Sequence, residues 1–303
     1  MSKASFISVD PENVTQAERH SFLLSAIAPR PIALASTISA KGDINLSPFS
    51  FFNVFSSNPP IVVFSPARNA RNLSLKHTLE NLYEIPETVI NIVNYPMVEQ
   101  MSLSSTAYDK GVNEFKKSGL TELPSQIVRP PRVQQSPASF ECLVEEIKEL
   151  GQGPGAGHLV IARVVMMHFA KEYLKEDGKL DPTQLDQVGR MGGAWYTRAN
   201  KDNLFSIPKP LRSQGIGVDS LPAHVRNSRI LTGNNLGRLG NLEKMPSKEE
   251  ILLAQQRPEF NSFIDPSKDL SLQIETIHTF AAQCIKEDKE AFALAILMTI
   301  EDK

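Results

Sequence analysis

From residue 32 onward the chain alternates short apolar, β-branched runs with turn-forming clusters. Residues 32–38 form the first run, and Lys41-Gly42-Asp43 supplies a turn. Residues 45–55 then mix rings with serines and asparagines. Asn58-Pro59-Pro60 breaks the chain before the fully apolar residues 61–64. Short runs bounded by Gly, Pro, Asn and Asp predict strands. The same pattern predicts strands at 88–93, just after Pro86, and at 140–150, where Phe140, Cys142 and Val144 alternate with Glu141, Leu143 and Glu145. A further strand is predicted at 158–169. Three segments carry helical signals. In residues 15–27, Thr15 is the N-cap with Glu18 as its capping-box partner, and Phe22, Leu23 and Ile27 make an apolar face. Pro29-Arg30-Pro31 ends that helix. Residues 72–83 place Leu75, Leu79 and Leu82 at helical spacing, and residues 98–118 are polar and helix-like. Four prolines make 123–137 an extended arm, and the glycine-rich residues 151–157 must be loop. Strands clustered with few helices between them predict an antiparallel barrel or sandwich.

The pattern changes near residue 200. Pro208, Pro210, Gly215, Gly217 and Thr232-Gly233-Asn234-Asn235 predict irregular structure. Helices are expected at 247–256, with Ser247 and Glu250 as a capping box, and from Leu270 to the end. Ile274, Ile277, Phe280, Ala281, Cys284 and Ile285 give the last helix an apolar face that must be covered. Two parts are therefore expected: 1–200, holding the strands, and 201–303, an irregular and helical extension packed on the first part or on a second subunit.

Composition narrows the classes of function. The chain has 303 residues, 41% of them hydrophobic, and a net charge of −2. It lacks the basic footprint of a nucleic-acid binder. No apolar h-region follows Met1-Ser2-Lys3-Ala4, and no run is long enough to span a membrane. The two cysteines, Cys142 and Cys284, match no metal or redox spacing and suit a reducing compartment, so a cytoplasmic location with no membrane partner is expected.

Five phenylalanines fall between residues 49 and 64, beside short hydrogen-bonding side chains. Such a stretch suits a flat, heteroatom-edged ligand, whose face packs on rings while amides and hydroxyls meet its edge. It equally suits a core strand whose small polar groups serve turns. Lys76-His77-Thr78 opens the predicted 72–83 helix with a cation and a hydroxyl, a combination fit for a phosphate near a helix N-terminus. Arg30, Ser36 and Thr37 are candidates for the same phosphate. Gly189-Arg190-Met191-Gly192-Gly193-Ala194-Trp195-Tyr196 sets an arginine and two aromatics among flexible glycines. This segment can close over a planar ring or tuck its aromatics into the core. His158 stands where the glycine-rich loop enters a strand, a rim position. The histidines show no metal-ligand spacing, so no metal site is expected. No phosphate-binding glycine motif and no nucleophile motif occurs.

The order of these motifs resembles the flavin reductase-like family with the FMN-binding split β-barrel fold. The resemblance covers residues 15–200. It is carried by Pro29-Arg30-Pro31 through Ser36-Thr37, by Asn45-Leu46-Ser47-Pro48-Phe49-Ser50-Phe51-Phe52-Asn53, by Pro59-Pro60, by Lys76-His77-Thr78, by His158 and by Gly189-Arg190-Met191-Gly192-Gly193. Relatives often have aspartate where His77 stands, and Gly-Glu-Val where this chain has Ala162-Arg163-Val164. The resemblance implies a mainly β fold with peripheral helices, a Greek-key antiparallel split barrel, followed here by the helical extension. It implies a homodimer binding FMN rather than FAD. Arg30, Ser36, Thr37, Lys76 and Thr78 would meet the phosphate and ribityl chain. Asn45, Ser47, Ser50 and Asn53 would meet the isoalloxazine edge, and Phe49 or Phe51 its face. Arg190, or the Trp195-Tyr196 pair, would come from the second subunit or cover the pocket, and His158 would contact the nicotinamide of NADH or NADPH. The implied activity is NAD(P)H:flavin oxidoreduction serving a partner oxygenase or another electron acceptor. Two alternatives stand beside it: an electron-transfer protein holding FMN tightly, and a non-catalytic flavin-binding or interaction module docking through residues 270–298.

Overall fold

The computed structural model describes residues 5–207, 214–263 and 269–300; the expectations at Met1–Ala4, Pro208, Pro210 and residues 301–303 lie outside them. The chain divides into two units, Met1–Phe205 and Ser206–Lys303, and each is described by itself.

The first unit begins with α1 (Gln16–Ala26), capped as expected: Thr15 accepts from the Glu18 N–H and Glu18 accepts from the Thr15 N–H. It continues through β1 (Ala33–Ile38), β2 (Ile44–Phe49), β3 (Phe52–Ser57), β4 (Pro60–Phe64), α2 (His77–Glu84) and β5 (Glu87–Ile92). Next come α3 (Val98–Leu103), α4 (Glu114–Ser118), the two-residue strands β6 (Glu122–Leu123) and β7 (Arg132–Val133), β8 (Ala138–Glu149) and β9 (His158–Phe169). The unit ends with β10 (Gln187–Arg190) and β11 (Tyr196–Ala199).

Seven of these strands pair antiparallel in the order β2-β1-β5-β8-β9-β4-β3. β2 and β3 stand at opposite ends of that order, yet only Ser50 and Phe51 separate them in sequence. The two ends of the sheet must therefore meet at that corner, and the sheet curls into a barrel. The 45–55 stretch is thus two strands joined by a bend. Strand alternation divides the apolar residues between two cores. Ala33, Ala35, Phe49, Phe64, Val160 and Ala162 pack with Leu79 and Leu82 of α2. Leu34 and Leu46, on the opposite face, pack with Met97, Met101 and Phe115 from the α3–α4 region.

The helix expected at 72–83 begins later, at His77. The side chains of Asn69 and Asn72 accept backbone N–H bonds from Arg71 and Ser74, and Leu73 adopts φ 59°, so local side-chain turns displace the first helical turn. The 98–118 segment is two helices, separated by a turn at Gly111 (φ 85°) and restarted by the Asn113 cap. The proline-rich arm, expected to be extended, instead bends at 126–130 and doubles back on itself, so that β6 pairs antiparallel with β7. It is held by Glu141, a fully buried carboxylate that accepts from the N–H groups of Gln126, Ile127 and Val128 and pairs with His168 at 2.6 Å.

The second unit contains α5 (Ala223–Arg226), α6 (Gly233–Gly240), α7 (Lys248–Gln255), α8 (Pro258–Phe263), α9 (Leu270–Lys286) and α10 (Glu290–Leu297). Thr232-Gly233-Asn234-Asn235, expected to be irregular, opens α6 instead. Thr232 accepts from the Asn235 N–H and Asn235 accepts from the Thr232 N–H, a capping box with asparagine in the usual Glu or Gln place. Ser247 and Glu250 cap α7 as expected. The last helix breaks in two at Asp288, which sits at φ 59°. Its apolar face is covered within the unit: Ile277, Phe280, Ala281, Cys284 and Ile285 pack with Leu239, Ala254, Leu294 and Ile296. That face is therefore not free to serve as the docking surface the interaction-module reading requires. Among the described residues no helix is long and apolar enough to cross a membrane.

Candidate functional site

Register decides which expected residues meet. Thr37 pairs with Asn45 and Ser36 with Leu46 across β1 and β2. Successive strand residues face opposite sides, so Ser36 and Thr37 point apart. Thr37, Asn45 and Thr78 do come together. The Asn45 amide donates to Thr78 Oγ1 at 2.9 Å, and Asn81 donates to Thr37 Oγ1 at 3.1 Å, in a buried polar network joining β1, β2 and α2. Asn81, missed in the sequence, completes it. Ser36 is buried on the other face, where its hydroxyl donates to the Pro131 carbonyl. Lys76 is exposed at the N-cap of α2 with no side-chain cap bond.

Arg30 has a structural task that the sequence did not disclose. Its guanidinium is buried and donates to the carbonyls of Leu24, Ile27 and Met191 at 2.7, 2.5 and 3.0 Å, with Ser50 Oγ at 3.5 Å. Burial, and then the nearby Arg190 charge, lower its pKa. With its donors directed at carbonyls, Arg30 ties the end of α1 and the β10–β11 hairpin to the corner, so the structure gives it a different task from the expected phosphate contact. Ser36, bonded to Pro131 on the far face, likewise parts from that set.

The corner itself sorts its rings. Phe49 is buried, 5.5 Å from the Phe64 ring, so it belongs to the core. Phe51 is 40% exposed and is the ring free to lie against a ligand. Ser47 and Ser50 are half-buried; Asn53 is exposed on β3, where its side chain accepts from the Val54 N–H. The Phe51 carbonyl accepts from the Ser65 N–H, and the next residue, Pro66, accepts from the His158 N–H at 3.1 Å. His158 thus adjoins the corner through Ser65–Pro66. Its ring is 1% exposed, with Nδ1 3.3 Å from the Pro66 carbonyl and Nε2 3.7 Å from Glu149 Oε1. Nε2 has no hydrogen-bond partner among the described residues. Arg68 binds the same Glu149 oxygen and holds that carboxyl below its usual range.

On the other side of the corner, Arg30 and Arg190 form a β-bridge. Arg190 donates to the Trp195 carbonyl and lies 4.6 Å from the Tyr196 ring centroid. The hairpin tip lies tightly on α1, since a Cβ on Gly192 would fall 3.0 Å from Ser25 Cα. Trp195 is 78% exposed, which excludes the core-aromatic alternative. Phe51 and Trp195 are thus exposed and Ser47 and Ser50 half-buried, while the His158 ring next to Pro66 is buried. The corner offers an exposed ring face and short polar groups, a combination that fits a flat heteroaromatic group such as a flavin.

The barrel closed at a ring-and-hydroxyl corner defines a class: the split-barrel flavin-binding proteins. The flavin reductase like domain model matches residues 25–187, and the chain belongs to that family. An uncharacterized protein of Halalkalibacterium halodurans is 34% identical over 208 residues, covering 68% of this chain and 98% of that protein. Among solved structures, nitrilotriacetate monooxygenase component B from Bacillus cereus is 26% identical with a TM-score of 0.63, covering 68% of this chain and 100% of that one. The 2-nitrobenzoate 2-nitroreductase of Pseudomonas fluorescens is 25% identical with a TM-score of 0.60, covering 69% and 100%. The matched family domain ends before the helical unit begins.

Proposed function

We propose that the chain binds FMN along the surface around the β2–β3 corner and catalyses hydride transfer from NADH or NADPH to it. The observation that carries this reading is the His158 Nε2 beside the corner that exposes Phe51: it is buried, lies 3.7 Å from Glu149 Oε1 and makes no hydrogen bond among the described residues. A buried nitrogen without a hydrogen bond is costly unless a ligand supplies one. Bound FMN supplies the hydride-accepting chemistry. Phe51 packs the ring face, while Ser47, Ser50 and Asn53 meet its polar edge. Lys76, Thr78 and the free N–H groups of the first turn of α2 receive the phosphate. The Thr78 hydroxyl, which accepts from Asn45, keeps its own proton to donate. His158 orients the nicotinamide carboxamide, and the Arg190–Trp195 tip covers the pocket.

A homodimer is part of this reading. Phe22, Leu23 and Ile27 of the α1 region and Val54 and Phe55 of β3 are all more than half exposed in the single chain, an apolar surface that a second copy would cover. The named component B structure is the ground for proposing that a partner oxygenase, or another acceptor, takes the reduced flavin. The cytoplasm is the proposed setting, with Cys142 and Cys284 both buried free thiols.

Ser50→Ala and Asn53→Ala are each expected to weaken FMN binding about two- to tenfold, the scale of one hydrogen bond. Flavin fluorescence quenching measures it; wild-type affinity in both variants would remove the corner from the site.

A further inference from the structure

Strand β2 lies at one end of the sheet order, with β1 on one side only. In an antiparallel pair every second N–H points away from the partner strand. The Leu46 N–H does so here, since it bonds to a side chain of α4. By the same period Ile44 and Pro48 share its orientation, and Pro48 has no N–H to satisfy. Leu46 therefore carries the single outward N–H in the interior of β2. The residue is fully buried, and Glu114 Oε2 accepts that N–H at 2.9 Å.

Glu114 is itself only 4% exposed, and burial raises its pKa against the opposing pull of the Leu46 N–H bond, its own backbone N–H and His77. Burying a carboxylate is an expensive way to satisfy one strand N–H. One residue earlier, Asn45 ties the face of the same strand to Thr78. Strand β2 is thus clamped twice, along its edge by Glu114 and on its face by Thr78, immediately before Ser47 and the Ser50–Phe51 corner.

We propose that Glu114 is a positioning residue for the flavin site, pinning β2 so that Ser47, Ser50 and Phe51 are held in one geometry. This rests on the flavin reading above. Glu114 touches neither flavin nor nicotinamide; it acts through the Leu46 backbone.

The test uses the full chain, as E114A and E114Q, with two readouts. Amide hydrogen exchange of residues 44–51 is followed by mass spectrometry without flavin, and the FMN Kd is measured by fluorescence quenching. For E114A, exchange in 44–51 is expected to accelerate about tenfold and the FMN Kd to rise about tenfold, with protection of β8 and β9 unchanged. The amide oxygen of E114Q can still accept from Leu46, so this variant is expected to return both readouts to within about twofold of wild type. Wild-type exchange or wild-type affinity in E114A overturns the proposal, as does an E114Q variant as impaired as E114A. Should E114A fail to fold, E114D carries the test: its carboxylate is too short to reach Leu46, so faster exchange in 44–51 is again expected and wild-type exchange is the contrary result. A wild-type chain that binds no FMN would instead overturn the flavin reading. Failure of the clamp remains distinguishable, because the exchange arm needs no flavin.

Discussion

Replacing Glu141 with alanine is expected to destabilise the barrel unit by about 3–5 kcal/mol, the range for removing one partner from a buried charged network. Four groups lose their acceptor together: the N–H groups of Gln126, Ile127 and Val128, at 2.8, 2.6 and 3.0 Å, and His168 at 2.6 Å. Burial alone would raise the Glu141 pKa, but these four hydrogen bonds outweigh it and hold the carboxyl below its usual value. A folded pKa below the unfolded one means that the unfolded chain binds the proton more readily. The contribution is then fully present above the ordinary carboxylate pKa and is lost as pH falls through the depressed folded value. Urea unfolding of wild type and Glu141→Ala at neutral pH measures the difference. A loss below about 1 kcal/mol would mean that the 124–131 arm is held by other contacts.

Acid is expected to loosen the helical unit over a different window. His278 on α9 is buried, with Nδ1 2.7 Å from Ser228 Oγ and Nε2 3.1 Å from His224 Nδ1. Ser228 Oγ already accepts the N–H groups of Ile230 and Leu231, so its own proton goes to His278. The neutral ring satisfies this chain of bonds, whereas a second ring proton would oppose the serine donor. Burial, and then the His224 charge, lower the His278 pKa from 6.5 to about 4. Between those values the unfolded unit holds the proton and the folded one does not. Stability is therefore complete above about 6.5 and falls by about 3 kcal/mol as pH drops toward 4. The only tryptophan, Trp195, belongs to the other unit, so the reporter is Cys284, 3% exposed on α9. Urea series at pH 7 and pH 5, each labelled at Cys284 under one common pH, should show a lower midpoint at pH 5. Equal midpoints would contradict the role given to His278.

The barrel strands were legible because they carry period-two alternation between Gly, Pro and Asn breaks; the limits of β9 coincide with the 158–169 run. The bend at Ser50–Phe51 was not, because those residues carry no turn signature and the break arises from closing the sheet. The end of the turn before α2 was obscured by Leu75, which continues the helical spacing into a segment that Asn69 and Asn72 fold as turns. At the candidate site, motif order singled out the corner, His158, Thr37, Asn45 and Thr78. It gave Asn45 to the ring edge and the two threonines to the phosphate, whereas strand register buries Asn45 in one network with them. Motif order also placed Ser36 and Thr37 in one contact set, although alternation along a strand already separates them. Glu114 and Glu141 had no local signal. Each stands in a polar or alternating segment as an ordinary surface acid, and its importance comes from backbone N–H groups distant in sequence.

The central claim is tested most directly by an anaerobic titration of the purified full chain. FMN is added first and NADH or NADPH second, while the visible spectrum is recorded. Saturable binding of FMN, followed by bleaching of its visible absorption on adding nicotinamide, is the predicted result, with His158→Ala slowing the bleaching far more than it weakens FMN binding. A chain that leaves the flavin spectrum unperturbed, or binds FMN yet gives no bleaching with either nicotinamide, would contradict the proposed reductase.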